Sequence, residues 1–227
     1  MCNIKDKLIV ALDVDTLDKA RSFVDKLYPA VKAFKIGSQL FTACGPQAVK
    51  MVTEKGGSVF LDLKFHDIPN TVRSAVLSGV NLNGVFMMTV HIAGGAEMLK
   101  KAVEGATEKA GELKIKRPLI VGITVLTSDK SSTGTVGTVL ERAELALESG
   151  LDGVVCSVHE ASAVREICGK DFIIVTPGIR PVGAEAGDQE RVSTAQSAID
   201  AGANYIVVGR PILEAPDPLA AVKKLLG

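Results

Sequence analysis

The sequence predicts an α/β protein, a (β/α)8 barrel of the TIM type that forms a single domain over residues 1–227. Eight short runs rich in valine, isoleucine and leucine alternate along the chain with eight longer amphipathic segments. The short runs show only weak apolar–polar alternation, as expected for parallel strands that are covered by helices. Eight strand–helix units in a chain of this length indicate a closed barrel.

The predicted elements follow one another without a linker. The strands are predicted at Leu8–Val14, Val31–Gly37, Ser58–Lys64, Gly84–Val90, Pro118–Val125, Asp152–Ser157, Phe172–Thr176 and Asn204–Val208. The helices are predicted at Leu17–Leu27, Pro46–Lys55, Asn70–Val80, Ala96–Ala110, Gly137–Ser149, His159–Cys168, Val192–Ala201 and Pro216–Leu226. Two long polar loops, Thr127–Val136 and Arg180–Arg191, each follow a strand. Such loops are either lids or merely mobile surface, and we expect lids because both loops lie on the face of the barrel where active sites lie.

Composition and charge argue against several classes of function. The 26 basic and 26 acidic residues balance, so the sequence indicates no basic surface for nucleic acid. No apolar run approaches the roughly 20 residues of a membrane-spanning helix. None of the four cysteines forms a C-x-x-C pair, which argues against a zinc knuckle. The simplest expectation is a reduced cytoplasmic protein.

Charged residues stand near the carboxyl ends of the first three predicted strands. Because side chains alternate faces along a strand, Asp62 and Lys64 share the inward face of the third strand, as Asp13 and Lys35 do on the first two. Buried charges must pair, so Lys35, Asp62, Lys64 and Asp67 are expected to satisfy one another. Such a layer could be a salt-bridge plug, but a plug stabilises a barrel little more than apolar residues do. Its place at the barrel mouth favours a catalytic site.

Glycines and an arginine follow the last two predicted strands. Gly178 and Gly209 would let backbone N–H groups approach an anion, and Arg210 could bind it through two parallel hydrogen bonds. A recurrent phosphate site of barrels lies at this position. Ordinary turn glycines and a surface arginine are the alternative interpretation.

No metal-binding motif accompanies these charges. Ala163 stands where the second histidine of an H-E-x-x-H motif would follow His159, and the three histidines form no cluster with cysteines. We therefore do not expect a tight transition-metal site. His91, after the fourth strand, either faces the site or is structural, and His66 is expected to be structural.

The run of residues 62–71, DLKFHDIPNT, is similar to the D-x-K-x-x-D-I-P-N-T signature of the orotidine 5′-phosphate decarboxylase family. The resemblance extends over nearly the whole chain. In length, the chain resembles the compact stand-alone bacterial form of the family. It includes the segments around Asp13, Lys35, His91, Thr127, Arg180, Gln189 and Gly209.

This resemblance implies decarboxylation of orotidine 5′-phosphate to UMP, the last step of de novo pyrimidine biosynthesis, without metal or cofactor. Lys64 would protonate C6, Asp62 would lie beside the departing carboxylate, and Lys35 would complete the charged array with Asp67. Asp67 and Thr71 would reach the neighbouring site of a homodimer. The other implied substrate contacts are Asp13, Thr127, Pro177, Arg180, Gln189, Gly209 and Arg210, of which Gln189, Gly209 and Arg210 hold the phosphate.

The chemistry of the residues supports the same reaction. Loss of CO2 from C6 leaves an electron pair in the ring plane, where the π system cannot delocalise it. A lysine held between carboxylates keeps its charge, so it can stabilise this pair and then protonate it. Metal-dependent sugar-phosphate decarboxylases and aldol-type synthases share D-x-K-x-x-D and are one alternative, which Mg²⁺ dependence would distinguish. A barrel that binds UMP without turnover is another.

Overall fold

The computed structural model describes residues 4–126, 135–180 and 193–226, in which eight parallel strands form a closed barrel in the order β1 to β8. The strands are β1 (Leu8–Ala11), β2 (Ala33–Gly37), β3 (Ser58–Phe65), β4 (Val85–His91), β5 (Leu119–Ile123), β6 (Gly153–Val155), β7 (Ile173–Thr176) and β8 (Tyr205–Val208). The predicted barrel is therefore confirmed. Most of the two expected lid loops, residues 127–134 and 181–192, lies outside the described ranges.

Helices surround the barrel. They are α1 (Leu17–Leu27), α2 (Ser38–Cys44), α3 (Pro46–Glu54), α4 (Pro69–Val80), α5 (Gly95–Leu113), α6 (Thr135–Glu148), α7 (Val158–Cys168), α8 (Ala195–Asp200), α9 (Arg210–Leu213) and α10 (Pro218–Leu226). Short 3-10 turns precede β1 and α5, at Ile4–Lys7 and Ile92–Gly94. Across the described ranges, we find no helix with both the length and the apolar character needed to cross a membrane.

Two separate apolar layers result from the alternation of side chains along the strands. The larger layer lies between the strands and the helices and includes Val59, Leu61 and the half-buried Leu63 of β3. The smaller layer fills the inside of the barrel and includes Phe60 of β3 and Met87 of β4. The inward face of β3 is thus the face that carries residues 60, 62 and 64, as the sequence pattern predicts.

The strand ends differ from the prediction where the chain turns. β1 ends at Ala11 rather than Val14, because the Val14 N–H turns back to donate to the Leu12 carbonyl at 3.0 Å. Asp13 consequently lies in the turn after β1. This turn still places its carboxylate at the carboxyl face of the barrel, beside Lys35.

The structure contains two short helices, α2 and α9, that the sequence does not predict. The sequence pattern indicates only one helix after each strand. Each of these two helices begins within two residues of its strand, and α2 is separated from α3 only by Gly45. Gly45 has φ 58° and ψ −147°, a backbone conformation in which a side chain is strained, and Pro46 then begins α3. The strand–helix unit that begins with β2 therefore contains two helices, α2 and α3.

Candidate active site

Four charged side chains form a continuous chain of ion pairs at the carboxyl ends of β1, β2 and β3. The Lys35 ammonium lies 2.9 Å from Asp13 Oδ1 and 3.4 Å from Asp62 Oδ2. Lys64 Nζ donates to both carboxylate oxygens of Asp62 at 2.9 Å. Asp62 is therefore shared between two lysines, as the alternating signs of the sequence predict for these residues.

Burial and charge act in opposite directions on the central pair of this array. Burial alone would raise the pKa of Asp62, but the charges of Lys35 and Lys64, with hydrogen bonds from Lys64 and Thr89, bring it below the usual 3.8. Burial alone would lower the pKa of Lys35, but the carboxylates of Asp62 and Asp13 raise it above the usual 10.5. Both groups are thus held in their charged forms over a wide pH range.

An irregularity in β3 places Lys64 in the site. Leu61 pairs with Met88 of β4, whereas the next pair joins Phe65 to Val90, so four residues of β3 advance against two of β4. Lys64 lies within this bulge and has φ 52°, a left-handed conformation that costs a non-glycine residue about 1–2 kcal/mol. The local backbone is therefore strained where the expected catalytic lysine stands, as often occurs at functional sites.

A threonine that the sequence reasoning did not single out supports this bulge. Thr89 of β4 is fully buried, accepts a hydrogen bond from the Lys64 N–H at 2.8 Å, and donates to Asp62 Oδ1 at 3.0 Å. The signal available in the sequence was a single hydroxyl at an inward position of an otherwise apolar strand.

Gly37, at the end of β2, was also missed. A Cβ atom at this position would lie 2.9 Å from Lys35 Nζ and 3.5 Å from Asp13 Oδ1. Glycine therefore leaves room for the Lys35 ammonium between its two carboxylate partners.

Asp67 does not join the array within the single chain. Its side chain is exposed, and its Oδ1 accepts a hydrogen bond from the Ile68 N–H at 2.6 Å. Thr71, at the start of α4, is exposed as well. The strand pattern predicted that Asp67 would pair with Lys64, but the chain leaves β3 at Phe65, and residues 66–68 lie beyond the strand. The role that the family resemblance implies for both residues, across a subunit interface, stays a prediction.

Two adjoining cavities open beside the array and share Lys35, Pro177 and Val207. The first, of about 170 Å³, has Lys35, Asp62 and Lys64 on one side and apolar walls elsewhere. Those walls consist of Phe60, Ile123, Val125, Leu126, Val155, Pro177 and Val207. A ligand that fits this cavity needs an apolar or planar body and one group that meets the charges.

The second cavity, of about 140 Å³, is lined by the groups for which a phosphate role is predicted. Arg180, Arg210, Gly178 and Gly209 contribute to it, together with Asp13. Gly178 has φ 79°, a conformation that favours glycine. The geometry brings together Asp13, Pro177, Arg180, Gly209 and Arg210 of the predicted binding residues, whereas Thr127 and Gln189 lie outside the described residues.

Backbone hydrogen bonds join the two chain segments that border the undescribed residues 181–192. The Arg180 N–H donates to the Ser193 carbonyl at 2.9 Å, and the Ser193 N–H donates to the Gly178 carbonyl at 3.4 Å. The second cavity therefore lies at the point where this loop leaves and re-enters the barrel.

His91 stacks on His66 with ring centroids 5.2 Å apart, beside the charged array. Burial lowers the pKa of His91 below the usual 6.5, and the nearby His66, Arg142 and Lys64 lower it further. Its Nδ1 accepts a hydrogen bond from the Ala93 N–H at 3.4 Å, which caps the turn after β4. The geometry thus gives His91 a structural contact.

Within residues 4–126, 135–180 and 193–226, no three His, Cys, Asp or Glu side chains are grouped as metal ligands would be. The charged groups and the arginines gather instead at one end of a closed barrel, where strands and loops position them. This arrangement defines the class of the protein, the (β/α)8-barrel enzymes.

Comparison with known proteins narrows the class to one family. A family model described as Orotidine 5′-phosphate decarboxylase / HUMPS family matches residues 6–225, and the chain belongs to this family. Curated relatives named orotidine 5′-phosphate decarboxylase include one from Moorella thermoacetica, 50% identical over 97% of this chain and 91% of its own. Another, from Vibrio atlanticus, is 46% identical over 97% of both chains.

Solved structures agree with the family assignment. A crystal structure of orotidine 5′-phosphate decarboxylase from Lactobacillus acidophilus matches with a TM-score of 0.83 and 36% identity over 97% of each chain. An uncharacterized conserved protein from Geobacillus kaustophilus matches equally well, with a TM-score of 0.83 and 36% identity over 96% of this chain and 97% of its own.

The lowered pKa of Asp62 predicts how stability depends on pH. Because the folded-state pKa is below 3.8, the stability that this carboxylate contributes is present above pH 3.8 and is lost as the pH falls through the folded pKa. Asp62→Asn should lower the free energy of unfolding near neutral pH, because it removes the negative charge that pairs with Lys35 and Lys64. It should also flatten the decline between about pH 4 and pH 3.

Urea denaturation between about pH 7 and pH 3 measures both effects. Asp171→Asn, at an exposed position, serves as the matched control and should keep the wild-type slope. Identical slopes for wild type and Asp62→Asn would contradict the assignment.

Proposed function

We propose that the chain decarboxylates orotidine 5′-phosphate to UMP, and that Lys64 delivers the proton that replaces the carboxylate at C6. The observation that carries this proposal is the position of Lys64 Nζ, 2.9 Å from both oxygens of a buried carboxylate and at the edge of an apolar cavity. Membership of the family and the names of relatives at 44–50% identity support the choice of substrate.

The chemical step breaks the bond between C6 and the carboxylate carbon, and the bonding electron pair remains on C6 as CO2 departs. The Lys64 ammonium lies beside this pair and stabilises it electrostatically. One proton then moves from Nζ to C6, which yields UMP and leaves a neutral amine that solvent protonates again. Because Asp62 already holds the ammonium in place, no reorganisation accompanies charge development.

The apolar wall opposite the array contributes to the same step. Ile123, Val125 and Val155 offer no hydrogen-bond donor from their side chains to a substrate carboxylate, whereas neutral CO2 needs none. An ionised carboxylate in such surroundings is poorly solvated, and its conversion to CO2 removes that cost. The negative charge of Asp62 acts in the same direction on a carboxylate placed beside it.

The second cavity provides the phosphate end of the substrate site. Arg180 and Arg210 line it together with Gly209, and it meets the first cavity at Lys35, Pro177 and Val207. A ligand with a planar ring at one end and a dianion at the other would fill both cavities. Binding at the dianion then holds the ring against Lys64, so remote binding energy supports the chemical step. Thr127 and Gln189 complete this site from the two loops in our proposal.

A homodimer completes the site. Asp67 and Thr71 are exposed beside Ile68, of which 66% is accessible in the single chain. An exposed apolar side chain flanked by a carboxylate and a hydroxyl fits an interface that delivers those two groups to the neighbouring array.

The described cysteines, Cys44, Cys156 and Cys168, carry free thiols, which suits the reducing cytoplasm as the place of action.

Turnover of orotidine 5′-phosphate, followed by ultraviolet absorbance with and without EDTA, tests the proposed function directly. We expect rapid conversion to UMP that EDTA does not affect, because Lys64 supplies both the charge and the proton. Lys64→Ala should abolish measurable turnover while UMP still binds, and Lys100→Ala, at an exposed position of α5, should have wild-type activity.

Near-normal kcat for Lys64→Ala would remove Lys64 as the acid. Inactivity of the wild type on this substrate, combined with Mg²⁺-dependent turnover of a ketose phosphate, would instead place the chain in the metal-dependent branch.

Arg210→Ala should weaken transition-state binding only for substrates that carry the phosphate. The loss of a charge-assisted contact should raise the activation free energy by about 2–3 kcal/mol. This change lowers kcat/KM for orotidine 5′-phosphate roughly 30- to 160-fold. Steady-state kinetics with orotidine, which lacks the phosphate, provide the control. An equal loss with orotidine would contradict the phosphate role.

Mixing two inactive variants tests the shared site. In a hybrid of Lys64→Ala and Asp67→Ala chains, one of the two sites regains both intact residues. Equal mixing after subunit exchange should therefore restore up to about a quarter of wild-type activity. No activity in a mixture whose exchange is demonstrated by mass spectrometry would show that Asp67 does not act across the interface.

A further inference from the structure

Thr89 lies inside the barrel, where its neighbours along β4 are apolar. Its side chain is fully buried, it pairs with Val121 of β5, and Met87 lies two residues before it on the same inward face. A threonine in such a layer must satisfy its hydroxyl, because an unpaired buried hydroxyl is destabilising.

Both hydrogen-bonding capacities of this hydroxyl are directed at the catalytic array. The oxygen accepts from the Lys64 backbone N–H at 2.8 Å, and the hydroxyl donates to Asp62 Oδ1 at 3.0 Å. The same carboxylate oxygen accepts from Lys64 Nζ at 2.9 Å. One hydroxyl therefore contacts Lys64 at its backbone and, through Asp62, at its ammonium.

The backbone contact compensates for a missing strand interaction. The pairing of β3 with β4 passes from Leu61–Met88 directly to Phe65–Val90, and Lys64 lies in the unpaired interval with φ 52°. Its N–H is directed to a side-chain oxygen instead. Thr89 lies between Met88 and Val90, the two β4 residues that pair with β3 on either side of the bulge. Its side chain can therefore reach into the bulge.

We propose that Thr89 is a positioning residue of the decarboxylation, whose hydroxyl holds the Lys64 backbone in its left-handed conformation and orients Asp62, so that the ammonium meets C6 from one fixed position. This inference rests on the proposed function. Thr89 does not line the apolar cavity beside Lys64, so it acts through Lys64 and Asp62.

A second buried threonine provides a matched comparison. Thr124, just after β5, is also fully buried, but its hydroxyl donates to the Val155 carbonyl at 2.7 Å. Among the described residues, its hydroxyl thus contacts a backbone carbonyl of β6 rather than Asp62 or Lys64. Removing the hydroxyl of Thr124 tests what the loss of a buried threonine hydroxyl does by itself.

Steady-state kinetics, UMP binding and thermal unfolding of Thr89→Val, Thr89→Ser and Thr124→Val test the proposal. Thr89→Val keeps the shape and loses the hydroxyl, so we expect kcat to fall by roughly 100-fold while KM and the UMP dissociation constant change less than about threefold. Thr89→Ser should retain kcat within about threefold of wild type. Thr124→Val should lose thermal stability and keep kcat.

The pH profile of kcat separates positioning from a general effect on folding. Without the Thr89 donor, the carboxylate of Asp62 binds a proton more readily, so the acidic limb of the Thr89→Val profile should move to higher pH. Thr124→Val should keep the wild-type limb. If Thr89→Val does not fold, Thr89→Ala and Thr89→Ser isolate the same hydroxyl, and kcat should differ between them by about tenfold or more.

Wild-type kcat and an unchanged acidic limb in Thr89→Val would overturn the proposal, as would equal kcat values for Thr89→Ala and Thr89→Ser. A loss of kcat in Thr89→Val that the serine variant does not restore would overturn it too. Wild-type turnover is measured first. Its absence would refute the proposed function, whereas an active wild type with a fully active Thr89→Val refutes only the role of Thr89.

Discussion

The carboxylate of Asp62 is the interaction around which the carboxyl face of this barrel is arranged. It is buried, it forms an ion pair with Lys35, and it accepts hydrogen bonds from Lys64 and Thr89. Removing a carboxylate from water is costly, and only several well-placed partners offset the loss of hydration. The three partners come from the neighbouring strands β2, β3 and β4, so the parallel pairing of these strands brings them to one point.

The need to satisfy this carboxylate accounts for irregular features nearby. The Lys64 backbone is strained within a bulge, yet that conformation directs its N–H to Thr89 and its ammonium to Asp62. On β2, Gly37 leaves space for the Lys35 ammonium, which also pairs with Asp13. The local strain is therefore balanced by charge-assisted contacts that a regular strand would not make.

The succession of eight strand–helix units was enough to predict the barrel, and the alternation of side chains along a strand was enough to predict the inward position of Asp62, Lys64 and Lys35. The same reasoning could not predict Thr89. Its role depends on a bulge that changes the register of β3 and β4, and register is set by contacts between strands distant in sequence. Asp67 shows the opposite limit, since the strand pattern that placed it in the array does not extend past Phe65. Residues 62–71, by contrast, indicated the family through their order in the sequence.

The bulge in β3 also releases a short interval of that strand from its pairing with β4. Pairing with β4 stops after Leu61 and resumes at Phe65, so the three residues between them have no paired residue on β4, although Asp62 still pairs with Gly37 of β2. The pairing of β3 with β4 and the placement of the Lys64 ammonium are consequently separate requirements in this protein. A substitution at Lys64 therefore changes the chemistry at the mouth of the barrel without breaking a backbone pair between β3 and β4, which makes this position the natural place to install a different reaction.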